Sequence, residues 1–131
     1  MTEFAGQKIL VVEDVYYLAM DVKKAIEEGG AEVVGPFPDV RSALESLKFE
    51  EPDCAVLDVN LGSGASFELA RALNNRGIPF VFFTGYDQSA IPAEFAQVTR
   101  LEKPVSGDRL VKLLASYCQP RTAPSGAARS S

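Results

Sequence analysis

The chain has 131 residues, 47% of them apolar, which suffices for one ordinary core and leaves no comfortable room for a second domain. Its formal net charge of −5 and sequence pI near 4.7 argue against nucleic acid or an anionic membrane surface as a partner and favour a cation. Histidine is absent, which removes Ser-His-Asp catalysis, histidine metal sites and any role as a phosphohistidine carrier.

Residues 1–7 form a short polar extension without the basic and apolar regions of a secretory signal. No apolar run approaches the roughly 18 to 20 residues needed to cross a bilayer, so a cytoplasmic location is expected. Cys54 and Cys118 lack a C-x-x-C spacing and are expected to be reduced thiols.

Ile9, Leu10, Val11 and Val12 form a continuous apolar run, as in a strand buried on both faces of a parallel sheet. Leu18, Ala19, Val22 and Ile26 then recur at helical spacing, and Gly29 and Gly30 supply a helix stop. Residues 32–37 read as a weaker strand that frays at Pro36, and Val40, Ala43, Leu44 and Leu47 as a short helix. Cys54 to Leu57 is a third strand, followed by a glycine-bearing loop from Asn60 and a helix through Phe67, Leu69, Ala70 and Leu73. Phe80 to Phe83 is the fourth and most hydrophobic strand. The helical signal between Asp87 and Gln97 is weak, and Pro92 either starts a short helix or breaks one. Thr99 to Glu102 is a short fifth strand, and Leu110, Val111, Leu113, Leu114 and Tyr117 stripe a last helix. Residues 119–131, rich in Pro, Ser, Ala, Gly and Arg, cannot offset their ordering entropy and are expected to be a disordered tail.

Five alternating βα units imply a parallel sheet with helices on both faces, which brings every strand's C-terminal end to one edge. Sites in such open sheets form at that edge. Glu13 and Asp14 follow the first strand, Asp58 the third, Thr84 the fourth and Lys103 the fifth. Clustered carboxylates repel one another and favour a bound cation or a raised pKa, and magnesium is the hard, oxygen-seeking ion that suits them. Asn60 can add its backbone carbonyl. Lys103 and Thr84 can bind phosphoryl oxygens, one by charge and one by hydrogen bond. The combination suits an anionic nucleophile attacking phosphorus, with Asp58, alone at its strand end, becoming an aspartyl phosphate. Taken singly, each residue has an ordinary explanation: Asp14 a helix cap, Asp58 or Thr84 a turn residue, Lys103 a surface charge before Pro104. Their joint placement at strand ends one, three, four and five outweighs those separate explanations.

From Lys8 to Cys118 the residues resemble the receiver domain of two-component response regulators. The resemblance implies a flavodoxin-like (βα)5 fold, a three-layer α/β sandwich with sheet order 2-1-3-4-5, over residues 8–118. It implies that Asp58 is phosphorylated by a sensor histidine kinase or a histidine phosphotransfer protein, with Mg2+ or Mn2+ held by Glu13, Asp14, Asp58 and the Asn60 carbonyl. Thr84 and Lys103 then bind the phosphoryl group, and the Lys103–Pro104 peptide is cis. Such a protein is no enzyme beyond catalysing its own phosphorylation and dephosphorylation. Residues 79–86, Pro-Phe-Val-Phe-Phe-Thr-Gly-Tyr, are similar to the signature of the FATGUY subgroup of alphaproteobacterial single-domain receivers, with Phe83 in place of its alanine.

Most receivers carry an aromatic residue three positions before the lysine, where this chain has Arg100. The expected switch and partner residues are therefore Gly85, Tyr86, Arg100 and Pro104, with Tyr86 as the substitute ring. No output domain is expected after residue 118, so signalling is expected through contact with a downstream protein or through phosphorelay. The alternative is an interaction module that keeps the fold and uses no phosphate, displaying Tyr16, Tyr17 or Tyr117; the ordinary expectation for these three is partial burial.

Overall fold

The computed structural model describes residues 6–59, 66–84, 91–102 and 106–117. Five strands, β1 (Lys8–Val12), β2 (Glu32–Phe37), β3 (Cys54–Asp58), β4 (Phe80–Thr84) and β5 (Arg100–Glu102), form one sheet in the order β2-β1-β3-β4-β5. All four adjacent pairs are parallel, as the expected flavodoxin-like architecture requires. Among the described residues four α-helices, α1 (Tyr16–Glu28), α2 (Val40–Ser46), α3 (Ser66–Asn75) and α4 (Gly107–Tyr117), join or follow the strands.

Strand alternation splits the apolar residues into two cores. Leu10, Val12, Leu57, Phe80 and Phe82 pack on one face of the sheet with Ala43 of α2 and Leu69 and Leu73 of α3. Ile9, Val11, Val56, Val81 and Phe83 pack on the other face with Val22 and Ile26 of α1 and Leu110 and Leu114 of α4. The central strands β3 and β4 are buried along their whole length. This explains why they read as unbroken apolar runs rather than as alternating ones.

Local chemistry sets the element ends. Asp39 caps α2 by accepting a 2.7 Å hydrogen bond from the Ser42 backbone. Gly29 and Gly30 close α1, Gly30 with φ of 100°.

Two expectations need correction, and one that was open is decided. β2 does not fray at Pro36 but continues to Phe37, through a cis Gly35–Pro36 peptide and a register shift opposite Leu10 and Val12. β2 is an edge strand, and Pro36 is tolerated there because an edge does not need every N–H in a ladder. The weak helical signal between β4 and β5 is, among the described residues, a single 3-10 turn, Ala93–Phe95, entered from Pro92. Cys54, fully buried at the start of β3, is disulfide-bonded rather than a reduced thiol, and Cys118 lies outside the described residues. The expected C-terminal tail also lies outside them. Among the described residues no helix is long and apolar enough to cross a membrane.

Candidate functional site

β1 and β3 are neighbours, while β2 lies on the far side of β1. The strand order therefore reverses between β1 and β3, opening a crevice at their C-terminal ends. Glu13 and Asp14 leave β1 at this point, and Asp58 is the last residue of β3. One carboxylate oxygen from each of the three lies within 4.8 Å of the others. Glu13 and Asp58 are buried and Asp14 is exposed, so the cluster has a wet side.

Glu13 is tied in place at both ends. Its backbone N–H donates to the Phe37 carbonyl at 2.9 Å, and its Oε2 accepts from the Val15 backbone at 3.0 Å. The N-cap position of α1 is occupied by Val15. Asp14 is thus not the helix cap that a strand-to-helix junction would suggest. Although Asp14 is exposed as a residue, partial desolvation of its carboxyl beside the buried Glu13 and Asp58, and after it a hydrogen bond and charge repulsion with Asp58, push that carboxyl above the usual carboxylate range, while a hydrogen bond with Glu13 acts in the opposite direction. Crowded carboxylates of this kind form a hard-oxygen donor set, and a divalent cation would relieve their repulsion.

Thr84 ends β4 and is fully buried. Its hydroxyl oxygen has no hydrogen-bond partner among the described residues. A buried hydroxyl without a partner is costly, which makes it a candidate to bind an arriving ligand. Asp58 pairs in register with Phe83, the residue before Thr84. The next backbone bond, from Val59 N–H to the Phe83 carbonyl at 3.1 Å, holds the two strand ends side by side. Carboxylate cluster and hydroxyl therefore belong to neighbouring strand ends on one edge.

The family-model match decides what this arrangement belongs to: residues 9–115 match the response regulator receiver domain. The chain belongs to the response regulator receiver family. The solution structure of SdrG from Sphingomonas melonis Fr1 is 36% identical with a TM-score of 0.74, the match covering 88% of this chain and 98% of SdrG. The sensory transduction protein LytT of Bacillus anthracis is 34% identical over 114 residues, covering 84% of this chain and 46% of LytT. The chain thus spans about half the length of the curated relatives it matches first. A CheY-like receiver from Methanospirillum hungatei JF-1, 23% identical with a TM-score of 0.75, shows the same fold.

Of the receiver residues expected from sequence, the structure brings Glu13, Asp14 and Asp58 together and puts Thr84 at the adjacent strand end. Arg100, the first residue of β5, is exposed and pairs in register with Phe82. Asn60, Gly85, Tyr86, Lys103 and Pro104, with the expected cis bond before Pro104, lie outside the described residues. Tyr16 and Tyr17, expected to be partly buried, are 76% and 69% exposed at the start of α1, and the Tyr117 side chain lies outside the described residues. Sequence reasoning missed the backbone groups of Val15 and Phe83 that fix Glu13 and the β3 end. No residue-type signal could have found them, because every residue other than proline carries the same N–H and every residue the same carbonyl.

Proposed function

We propose that this receiver accepts a phosphoryl group on Asp58 from the phosphohistidine of a sensor kinase or a histidine phosphotransfer protein. The observation that carries the reading is the convergence of Glu13, Asp14 and Asp58 at the β1–β3 crevice, beside the buried Thr84 hydroxyl. In the transfer an Asp58 carboxylate oxygen forms a bond to phosphorus as the bond from phosphorus to the donor's imidazole nitrogen breaks. The imidazole leaves with that electron pair.

Glu13, Asp14, Asp58 and the Asn60 backbone carbonyl are the residues that would hold Mg2+ or Mn2+. The ion, when bound, neutralises part of the charge between carboxylate and phosphoryl oxygens. Asp58 is the acceptor, because Glu13 is committed to the Val15 backbone and Asp14 faces solvent at the metal side. Thr84 donates its hydroxyl to a phosphoryl oxygen, and Lys103, the residue that follows β5 in the sequence, neutralises another. The protein turns over no other substrate; it catalyses only its own phosphorylation and dephosphorylation.

Signalling runs through a downstream protein partner or through phosphorelay, with Gly85, Tyr86, Arg100 and Pro104 at the partner face. The match to SdrG supports placing the chain near the FATGUY subgroup.

Incubation with magnesium and acetyl phosphate, followed by intact-mass measurement, tests the reading. One phosphoryl mass is expected on the wild type and none on Asp58→Asn. An unmodified wild type would instead favour the phosphate-independent interaction module, for which the exposed Tyr16 and Tyr17 are the natural contact surface.

A further inference from the structure

Near its end, β2 carries one residue more than β1 matches. Leu10 faces Val34 and Val12 faces Phe37, so Val11 stands opposite both Gly35 and Pro36. This is a β-bulge of the two-against-one kind, a device that parallel pairs rarely carry and that bends a strand and re-aims the groups beside it. Gly35 makes it possible. Its φ of +106° lies in the left-handed region, and an added Cβ would come within 2.8 Å of the Phe37 nitrogen and 3.0 Å of the Val11 carbonyl oxygen.

The bulge decides which residue arrives beside the carboxylates. Along an unbroken strand Pro36 would face Val12 and share a sheet face with Val34. With the extra residue Phe37 does so instead, and its ring packs on the core that holds Leu10, Val12 and Val34. The carbonyl of the same residue accepts the Glu13 N–H at 2.9 Å. Ring anchor and hydrogen-bond acceptor are therefore one residue, and the end of β2 cannot drift without drawing the ring out of the core. The hold continues into α1, because Glu13 Oε2 accepts the Val15 N–H at 3.0 Å and Val15 is the N-cap of that helix. Asp14 sits between these two tethered residues, where oxygens of Glu13, Asp14 and Asp58 lie within 4.8 Å of one another.

We propose that the bulge from Gly35 to Phe37 is a positioning element of the carboxylate cluster, in which the Phe37 carbonyl fixes Glu13, and through it Asp14, at the spacing a divalent cation requires. The inference rests on the reading of Glu13, Asp14 and Asp58 as a cation site. Crowded carboxylates on a loose backbone move apart, and a cation must then gather them at a cost to its own affinity. The bulge prevents that relaxation before any ion arrives. Groups one step behind the ligands of a metal govern its affinity by roughly ten- to a hundredfold.

Mn2+ binding to the full chain, read from the electron paramagnetic resonance signal of the free ion, tests this at a temperature where circular dichroism shows each variant folded. Gly35→Ala is expected to bind Mn2+ about tenfold more weakly or worse. Gly77→Ala is the control, since Gly77 also has a positive φ, +73°, but lies between α3 and β4 at the opposite edge of the sheet. It should lower the Tm through the same kind of backbone strain and leave Mn2+ affinity within about twofold of wild type. Phe37→Ala, which keeps the glycine and the carbonyl and removes only the ring anchor, should bind about threefold more weakly or worse. A merely structural bulge would lower the Tm in both glycine variants and move Mn2+ affinity in neither, and that result overturns the proposal. An equal loss of affinity in Gly77→Ala overturns it too. Should Gly35→Ala fail to fold, Phe37→Ala decides, and wild-type affinity there overturns the proposal while leaving the cation site. A wild type that binds no Mn2+ removes both.

Discussion

Asp14→Asn should make the metal-free protein more stable while weakening its response to magnesium. Asp14 and Asp58 present carboxylate oxygens within 4.8 Å of each other. Two unit charges at that separation repel by about 1 kcal/mol in water and by about 3 to 4 kcal/mol at an effective dielectric near 20. Asp14 is exposed, so the lower figure applies, and it is an upper limit, because the hydrogen bond with Glu13 favours the charged form of Asp14 and offsets part of the repulsion. A gain of about 1 kcal/mol corresponds to a Tm increase of roughly 3 to 5 °C for a domain of this size.

The pH dependence follows from the direction of the Asp14 shift. Its folded-state pKa is raised above the ordinary value of 3.8, so between those two values the folded form binds more protons than the unfolded chain. The cost of ionising Asp14 is fully present above the raised pKa and fades as pH falls towards the unfolded value. The stability advantage of Asp14→Asn should therefore be largest near neutrality and shrink on acidification. Magnesium reverses the order: at about a hundredfold excess over its dissociation constant it stabilises the wild type by about 2.7 kcal/mol, and the variant by much less. Thermal melts with EDTA and with magnesium, at neutral and mildly acidic pH, read all three effects. A variant that melts no higher than wild type without metal, or that gains as much from magnesium, would refute the reasoning.

Three further outcomes are expected. Phe82→Ala, which empties the space among the rings of Phe67, Phe80 and Phe95, should cost about 3 to 5 kcal/mol in denaturant unfolding. Gly35→Ala should cost about 2 kcal/mol or more, because Gly35 has φ of +106° and an added Cβ would lie 2.8 Å from the Phe37 nitrogen and 3.0 Å from the Val11 carbonyl; a melt equal to wild type would contradict this. Asp39→Ala should lower the Tm through loss of the α2 cap. The Asp39 carboxyl is held below its usual pKa by hydrogen bonds from Ser42, so its contribution is present above the unfolded value of 3.8 and disappears as pH falls through the lowered folded value. The gap between variant and wild type should close in strong acid.

Much of the site was legible because in a parallel sheet chain order and space are tied together. Each apolar run of β1, β3 and β4 had to be a buried strand, and the residue that broke each run had to emerge at a common edge. Glu13, Asp14, Asp58 and Thr84 could be grouped on that ground alone, and the grouping agrees with the structure. The same logic found the helix stop at Gly29 and Gly30.

What local pattern could not supply was anything that depends on a partner distant in sequence. Whether Tyr16 and Tyr17 lie in the core or in water depends on what α1 packs against, and periodicity at a helix start is too short to decide it. The cap role of Asp14 and its role in the carboxylate cluster look alike in sequence; the place of Val15 at the N-cap separates them. Pro36 reads as a strand breaker until β2 is known to be an edge. Phe95 and Arg71, unremarked in the chain, acquire meaning only when α3 and the turn after β4 are folded against each other. The sequence by itself determined the alternation of strands and helices and which polar groups lie at the strand ends, because those follow from covalent order and hydrophobic period. Tertiary structure alone decided which carboxylates are buried, which carries the raised pKa and which rings close over one another, because burial and electrostatics depend on everything within a few ångströms regardless of chain distance.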